Sequence, residues 1–232
     1  MKFLNFKRVL CLSPHPDDVE YSMLGTIVKN SNTKFDIFCL SRGGAKGFDL
    51  TNEQDRRTEV HNVWNKVQCK NIKLLFFADT EYIEDKSEPE WINYIERTFL
   101  DKNDYDCIMI PPSKDSMYEH CFVNKFGDAL VRKNAISLIE YKTVSALNTW
   151  IPNMFVDVTN FYDRKLDALK EFKSQGDKLY FKKSTLDSFH SNFQCRKRGK
   201  EFVEQFKIIE IFRHLLKSFM INMSLVQYQE MS

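Results

Sequence analysis

No apolar run in this 232-residue chain approaches the roughly 18 residues that a membrane-spanning helix needs, so no transmembrane segment is expected. The stretch from Met1 to Leu12 mixes lysines with apolar residues. It has no long apolar core and no small-residue cleavage site, which argues against a secretory leader. Six cysteines (Cys11, Cys39, Cys69, Cys107, Cys121 and Cys195) show no C-x-x-C spacing and lie mostly inside apolar runs. That excludes a disulfide framework and a thiolate zinc site and leaves reduced, buried thiols in a cytoplasmic protein. A net charge of only +2 gives no electrostatic ground for nucleic-acid binding. The glycine-rich stretch Gly43 to Gly47 is neither a P-loop nor a G-x-G-x-x-G turn, so neither a nucleoside-triphosphatase nor a dinucleotide enzyme is supported.

What remains is ordinary globular composition, 43% hydrophobic and 28% charged, in a chain long enough for one well-cored domain. Short apolar segments at Lys7–Ser13, Phe35–Ser41, Ile72–Phe77 and Tyr105–Pro111 read as strands. Helical patterns fall between them near Glu20–Asn30, Glu53–Val67 and Pro89–Leu100, and another runs to about Arg132. Further strands are predicted near Ser137–Leu147 and Phe155–Val158, then a helix over Thr159–Phe172. Alternating strand and helix implies an α/β fold with a mostly parallel sheet covered on both faces. Ligands of such folds bind outside the carboxyl ends of the strands.

One stretch at such an end concentrates the chemistry: Ser13-Pro14-His15-Pro16-Asp17-Asp18. With Pro16 opening a helix and His15 as its cap, His15 and Asp18 share a face, while Asp17 points about 100° away. Two groups can then hold a metal ion while Asp17 faces what the ion activates. After the fourth strand, Pro111 to His120 brings a second histidine to the same rim, and two histidines with a carboxylate make a catalytic zinc set that leaves a position for water. The same donors also suit iron, cobalt or nickel. Arg42 and Lys46, on the glycine-rich loop, are either substrate contacts or parts of a flexible connection. Lys165 to Lys200 is rich in Lys and Arg and is either a solvated face or an attractor of phosphate. His61 and His214 read as structural or exposed; His190 is undecided.

These residues resemble the LmbE-like, or PIG-L, zinc-dependent N-deacetylases. Pro14 to Asp18 matches the family's Pro-His-Pro-Asp-Asp element, and Asp115-Ser116-Met117-Tyr118-Glu119-His120 matches its Asp-x-His-x-Asp-His element in part. Blocks resembling later family elements follow in order: Pro152 to Thr159, Lys165 to Leu169 with Ser174-Gln175, and Arg198-Gly199 with Glu204 to Phe206. The resemblance implies a Rossmann-like three-layer sandwich over residues 1–213, with 214–232 as a C-terminal extension. That extension could form an added helix or an oligomer contact. It also implies zinc bound by His15, Asp18 and His120, Asp17 as general base, Asp115 near the substrate, and removal of an acetyl group from an N-acylated amino sugar. Met117 stands where the family usually has a histidine, with Tyr118 or His190 as candidate replacements. Two other readings stay open: a zinc-containing glycan or sugar-nucleotide binding protein, and a hydrolase of another acyl bond.

Overall fold

A computed structural model describes residues 5–43, 56–77, 82–134 and 136–211. Its centre is a seven-stranded sheet of β1 (Arg8–Ser13), β2 (Lys34–Cys39), β3 (Ile72–Phe76), β4 (Cys107–Ile110), β5 (Ser137–Tyr141), β6 (Met154–Asp157) and β7 (Val203–Glu210), in the order β3-β2-β1-β4-β5-β7-β6. The first five strands in that order run parallel; β7 is antiparallel to both β5 and β6. From β1 the chain winds outward through β2 and β3, then returns to lay β4 on the other side of β1. The carboxyl ends of β1 and β4 therefore flank the point where the winding reverses, and there the crevice of an open α/β sheet forms.

Strand alternation sorts β1 between two cores. Val9 and Cys11 face a cluster with Met23, Val60, Trp64 and Leu169, while Leu10 and Leu12 face one with Phe38, Trp91, Phe126 and Leu138. The first layer is carried by α1 (Asp18–Lys29), α2 (Arg56–Lys66), α6 (Tyr162–Leu169) and α7 (Lys183–His190). The second is carried by α3 (Glu88–Ile95), α4 (Tyr118–Asn124) and α5 (Phe126–Asn134); the short α8 (Phe193–Arg196) precedes β7. This is the Rossmann-like three-layer α/β sandwich. All six cysteines are free, and Cys11, Cys39 and Cys107 are buried in the sheet, where loss of solvent pushes their thiols well up. No helix among the described residues is long and apolar enough to cross a membrane.

The structure corrects several boundaries. The strand expected over Ser137–Leu147 ends at Tyr141, because residues 143–147 turn and bond with the loop after β4. The helix expected from Thr159 begins at Tyr162, after a 3-10 turn over Thr159–Phe161 in which the Asp157 carboxylate accepts the Thr159 N–H and hydroxyl. Strand β7 was not anticipated. Residues 212–232 lie outside the described residues.

Strand β7 earns its place through Glu204. Helix α1 is kinked at Met23, whose φ of −141° is not helical, and the kink opens the backbone of its second half. Glu204 accepts the N–H of Gly25 at 2.9 Å and of Thr26 at 2.6 Å, and Lys165 on α6 donates to it at 2.6 Å. Both charged side chains are fully buried. Only glycine fits at position 25, since a Cβ there would lie 2.9 Å from Val158 Cβ and 3.1 Å from Glu204 Oε1. The family-like blocks around Lys165 and Glu204 are therefore one clamp on the helix that starts at Asp18. Removing one partner of a buried ion pair strands the other charge, at a cost of about 3–5 kcal/mol. Lys165→Met should cost about 3 kcal/mol in urea unfolding, with Glu204→Gln in the same background restoring part of the loss; an additive double mutant would contradict the clamp.

Candidate metal centre

The loop between β1 and α1 is folded by its own side chains. Ser13 Oγ donates to the His15 carbonyl at 2.7 Å, and the His15 N–H donates to Asp18 Oδ2 at 2.8 Å. The same carboxylate oxygen lies 3.2 Å from His15 Nδ1. Helix α1 consequently begins at Asp18, not at Pro16, and Asp17 rather than His15 occupies the cap. His15 and Asp18 still come together, but through this closed turn rather than through a shared helical face.

From across the reversal point, α4 brings His120, whose Nε2 lies 3.2 Å from Asp18 Oδ1. The ligand atoms of His15, Asp18 and His120 all fall within 4.8 Å of one another. His120 is oriented from behind. Its Nδ1 lies 2.9 Å from Asp115 Oδ2, and an ionised carboxylate only accepts, so Nδ1 carries the hydrogen and Nε2 faces the site. Asp115 in turn accepts the Met117 N–H at 2.8 Å and the Thr143 hydroxyl. Ser145 Oγ lies 3.2 Å from His120 Nδ1. Asp115 was expected to meet substrate; its side chain is instead fully buried behind His120. A carboxylate behind a metal-binding imidazole fixes the tautomer and raises ligand basicity.

The electrostatics show what such a cluster lacks. His120 Nε2 is buried and makes no hydrogen bond. Burial would lower its pKa, but Asp18 and Asp115 on either side outweigh that and push it up to about 10. Burial also opposes ionisation of Asp18, yet the two imidazoles hold its carboxyl far below the usual range. The cluster attracts positive charge, and a divalent cation fits the two imidazoles and the carboxylate.

Asp17 is set apart from these three. Its carboxylate lies 3.6 Å from Arg56 Nη1, and its backbone sits at φ 151°, a conformation that costs an L residue about 1–3 kcal/mol. Burial and neighbouring Asp18 push its pKa up to about 6, against the pull of Arg56, His15 and Lys178. Arg56 also donates to the Gly43 carbonyl at 2.7 Å. Gly43, at φ +89°, leaves the room this needs, since a Cβ there would lie 2.7 Å from Arg56 Nη1.

These groups floor a cleft of about 610 Å³ whose walls include Met117, Glu119, Val144 and Ser145 on one side and Tyr21, Lys178, Tyr180 and Phe181 on the other. Arg42 is exposed and is not among the described residues lining the cleft. Lys46 lies outside the described residues. Neither candidate replacement for the family histidine reaches the cleft: Tyr118 is 61% exposed and stacks on Phe122, and His190 is buried with Nδ1 toward the Val203 carbonyl. Sequence reasoning missed Arg56, Lys178, Tyr180, Thr143 and Ser145. Arg56 had a usable signal, as it lies near the start of the helix expected over Glu53–Val67 and so close to the strand ends. The others lie in irregular segments with no periodicity to place them.

A Rossmann-like sandwich with two imidazoles and a carboxylate that could hold a metal ion, a separate carboxylate and a cleft at its reversal point has the layout of an α/β enzyme. The family model described as PIG-L, GlcNAc-PI de-N-acetylase, matches residues 10–131, and the chain belongs to this family of deacetylases, hydrolases of an amide C–N bond. The chain is 26% identical over 202 residues to a diacetylchitobiose deacetylase of Thermococcus kodakarensis, covering 75% of this chain and 72% of that one. The N,N'-diacetylchitobiose deacetylase of Pyrococcus horikoshii superposes with a TM-score of 0.67 at 24% identity, over 90% of this chain and 85% of that one. The 4-carboxy-2-hydroxymuconate hydratase of Pseudomonas putida superposes almost as well, with a TM-score of 0.66 at 15% identity, over 88% and 96%. One fold thus carries different chemistries, and the site must decide between them.

In metal-free protein, His120 should remain an imidazolium at pH 8 by ring-proton NMR, with a midpoint that Asp115→Asn lowers. Buried His190, whose pKa burial holds well down, serves as the neutral comparison. A His120 titrating near 6.5 would contradict the arrangement.

Proposed function

We propose that the chain is a zinc-dependent deacetylase of an N-acetylated amino sugar, with His15, Asp18 and His120 as metal ligands and Asp17 as general base. The observation that carries this reading is the meeting of two imidazole nitrogens and one carboxylate oxygen within 4.8 Å beside a second, separate carboxylate. The deacetylase relatives act on N-acetylated sugars by their names, and the cleft volume suits one or two sugar rings. The buried Nε2 of His120, with no hydrogen-bond partner, fits the role of a metal donor. Zinc held there supplies a Lewis acid beside the acyl carbonyl and makes water nucleophilic at neutral pH.

The chain's own residues do the rest. Asp17 takes the proton from the attacking water and returns it to the departing amine, since the base of the attack becomes the acid of the departure. Its elevated pKa suits both halves: it is ionised at neutral pH and basic enough to hold a proton. Arg56 keeps the carboxylate aimed into the cleft. Asp115, Thr143 and Ser145 hold the imidazole of His120, and the His15 turn holds Asp18. Met117 lines the cleft where the family usually has a histidine, and its thioether donates no hydrogen bond to a developing oxyanion.

That last feature favours a second reading, a zinc-containing sugar-binding protein with catalysis lost. Acetate release from a panel of N-acetylated sugars by zinc-loaded protein separates the two. On the deacetylase reading, Asp17→Asn retains one zinc per chain and loses about 10²–10⁴ in kcat, while His15→Ala loses metal and activity together. A fully active Asp17→Asn would sink the assignment. Because Asp17 occupies a backbone conformation suited to glycine, Asp17→Gly should be inactive yet more stable, by about 1 kcal/mol in denaturant unfolding. Met117→His should raise kcat about tenfold or more by supplying the missing donor.

A further inference from the structure

The basic run between Lys165 and Lys200 serves several ends. Lys165, Lys170, Lys183, Arg196 and Lys200 each pair with a carboxylate, at 2.6, 3.3, 2.7, 3.9 and 2.9 Å. Lys178 lines the cleft, and its charge acts on Asp17, which lies beside Arg56. Its Nζ sits 5.9 Å from the centre of the Tyr180 ring, which also faces the cleft.

The segment that carries Lys178 is anchored to the catalytic elements at both ends. Upstream, Ser174 bonds Glu59 of α2 through its N–H at 2.8 Å and its hydroxyl at 2.6 Å, one turn from Arg56. Downstream, Tyr21 of α1, three residues after Asp18, donates its hydroxyl to the Tyr180 carbonyl at 2.8 Å and packs edge-on against Tyr180 and Phe181. A cation beside an aromatic wall is thus carried on a segment fastened to both α2 and α1. Asp17 is the group that hands a proton to the leaving amine, so the sugar ring bearing that amine lies along this wall, and a substituent on a neighbouring ring carbon comes to Lys178.

Resting on the deacetylase reading, we propose that Lys178 is a specificity-determining residue that selects an N-acetylated amino sugar carrying an anionic substituent, phosphoryl or carboxylate, next to its amide-bearing carbon. The ammonium is a compact point charge with rotatable donors, suited to either anion. Tyr180 supplies the face against which the ring packs.

The test compares zinc-loaded wild type, Lys178→Gln and Lys178→Glu on three sugars: N-acetylglucosamine 1-phosphate, N-acetylmuramic acid with its 3-O-lactyl carboxylate, and the neutral methyl glycoside of N-acetylglucosamine. Wild type should favour at least one anionic sugar by tenfold or more in kcat/KM, and the anion it favours identifies the group. Lys178→Gln should cut that ratio at least fivefold through KM, and Lys178→Glu should bring it below one. Preference for neither anion, or a ratio that survives both substitutions, overturns the proposal. If wild type releases acetate from none of the three, the deacetylase reading fails separately. Calorimetric Kd values for the same sugars on the same unreactive proteins then decide the Lys178 inference by the same ratios.

Discussion

The site depends on one carboxylate. Asp18 closes the turn after β1 through the His15 N–H, faces His120 across the sheet reversal, and begins helix α1. Each of its oxygens faces a different imidazole. An isolated buried charge of this kind would be strongly penalised, and here it is offset by two imidazoles and by the helix start that follows it. The same placement frees Asp17, forced into its strained backbone by the turn, to face the cleft with Arg56 beside it.

Support for that carboxylate comes from distant sequence. The Glu204–Lys165 clamp fixes the second half of α1 after its kink, and Trp64 donates to Glu20 at 2.7 Å to tie the first half to α2. On the opposite side, Asp115 and the 143–147 loop hold His120. The metal donors therefore sit between two rigid frames, one on each side of the reversal point. A cluster that draws positive charge is thus held in place by the fold's own side chains, the kind of preorganisation that hydrolytic sites require.

Much of this was legible in the sequence. Parallel strands announced themselves as short apolar runs, and the rule that ligands sit at strand ends placed His15, Asp18 and His120 on one rim. The Pro14–Asp18 element survived in every residue, though its geometry did not: the helix starts two residues later because side-chain bonds inside the turn outcompete the proline's helical preference. Asp115 was misplaced for a similar reason, since nothing in a sequence tells whether a carboxylate five residues before a histidine points at substrate or at that histidine. Strand β7 was missed because Glu204, Gln205 and Lys207 break its apolar pattern, and the polar residue at its centre is there to clamp a helix. Lys178 was hidden in a basic run, where nothing in the sequence separates the lysine that lines the cleft from its neighbours.

The site stands or falls on whether a divalent metal takes the place of the proton on His120 Nε2, 3.2 Å from Asp18 Oδ1. Zinc titrated into metal-free protein at pH 7.5, by calorimetry in buffers of differing ionisation enthalpy, measures this exchange. One zinc per chain and release of about one proton are expected, lost together with tight binding in Asp18→Ala. Tight binding without proton release, or undiminished in Asp18→Ala, would contradict that exchange.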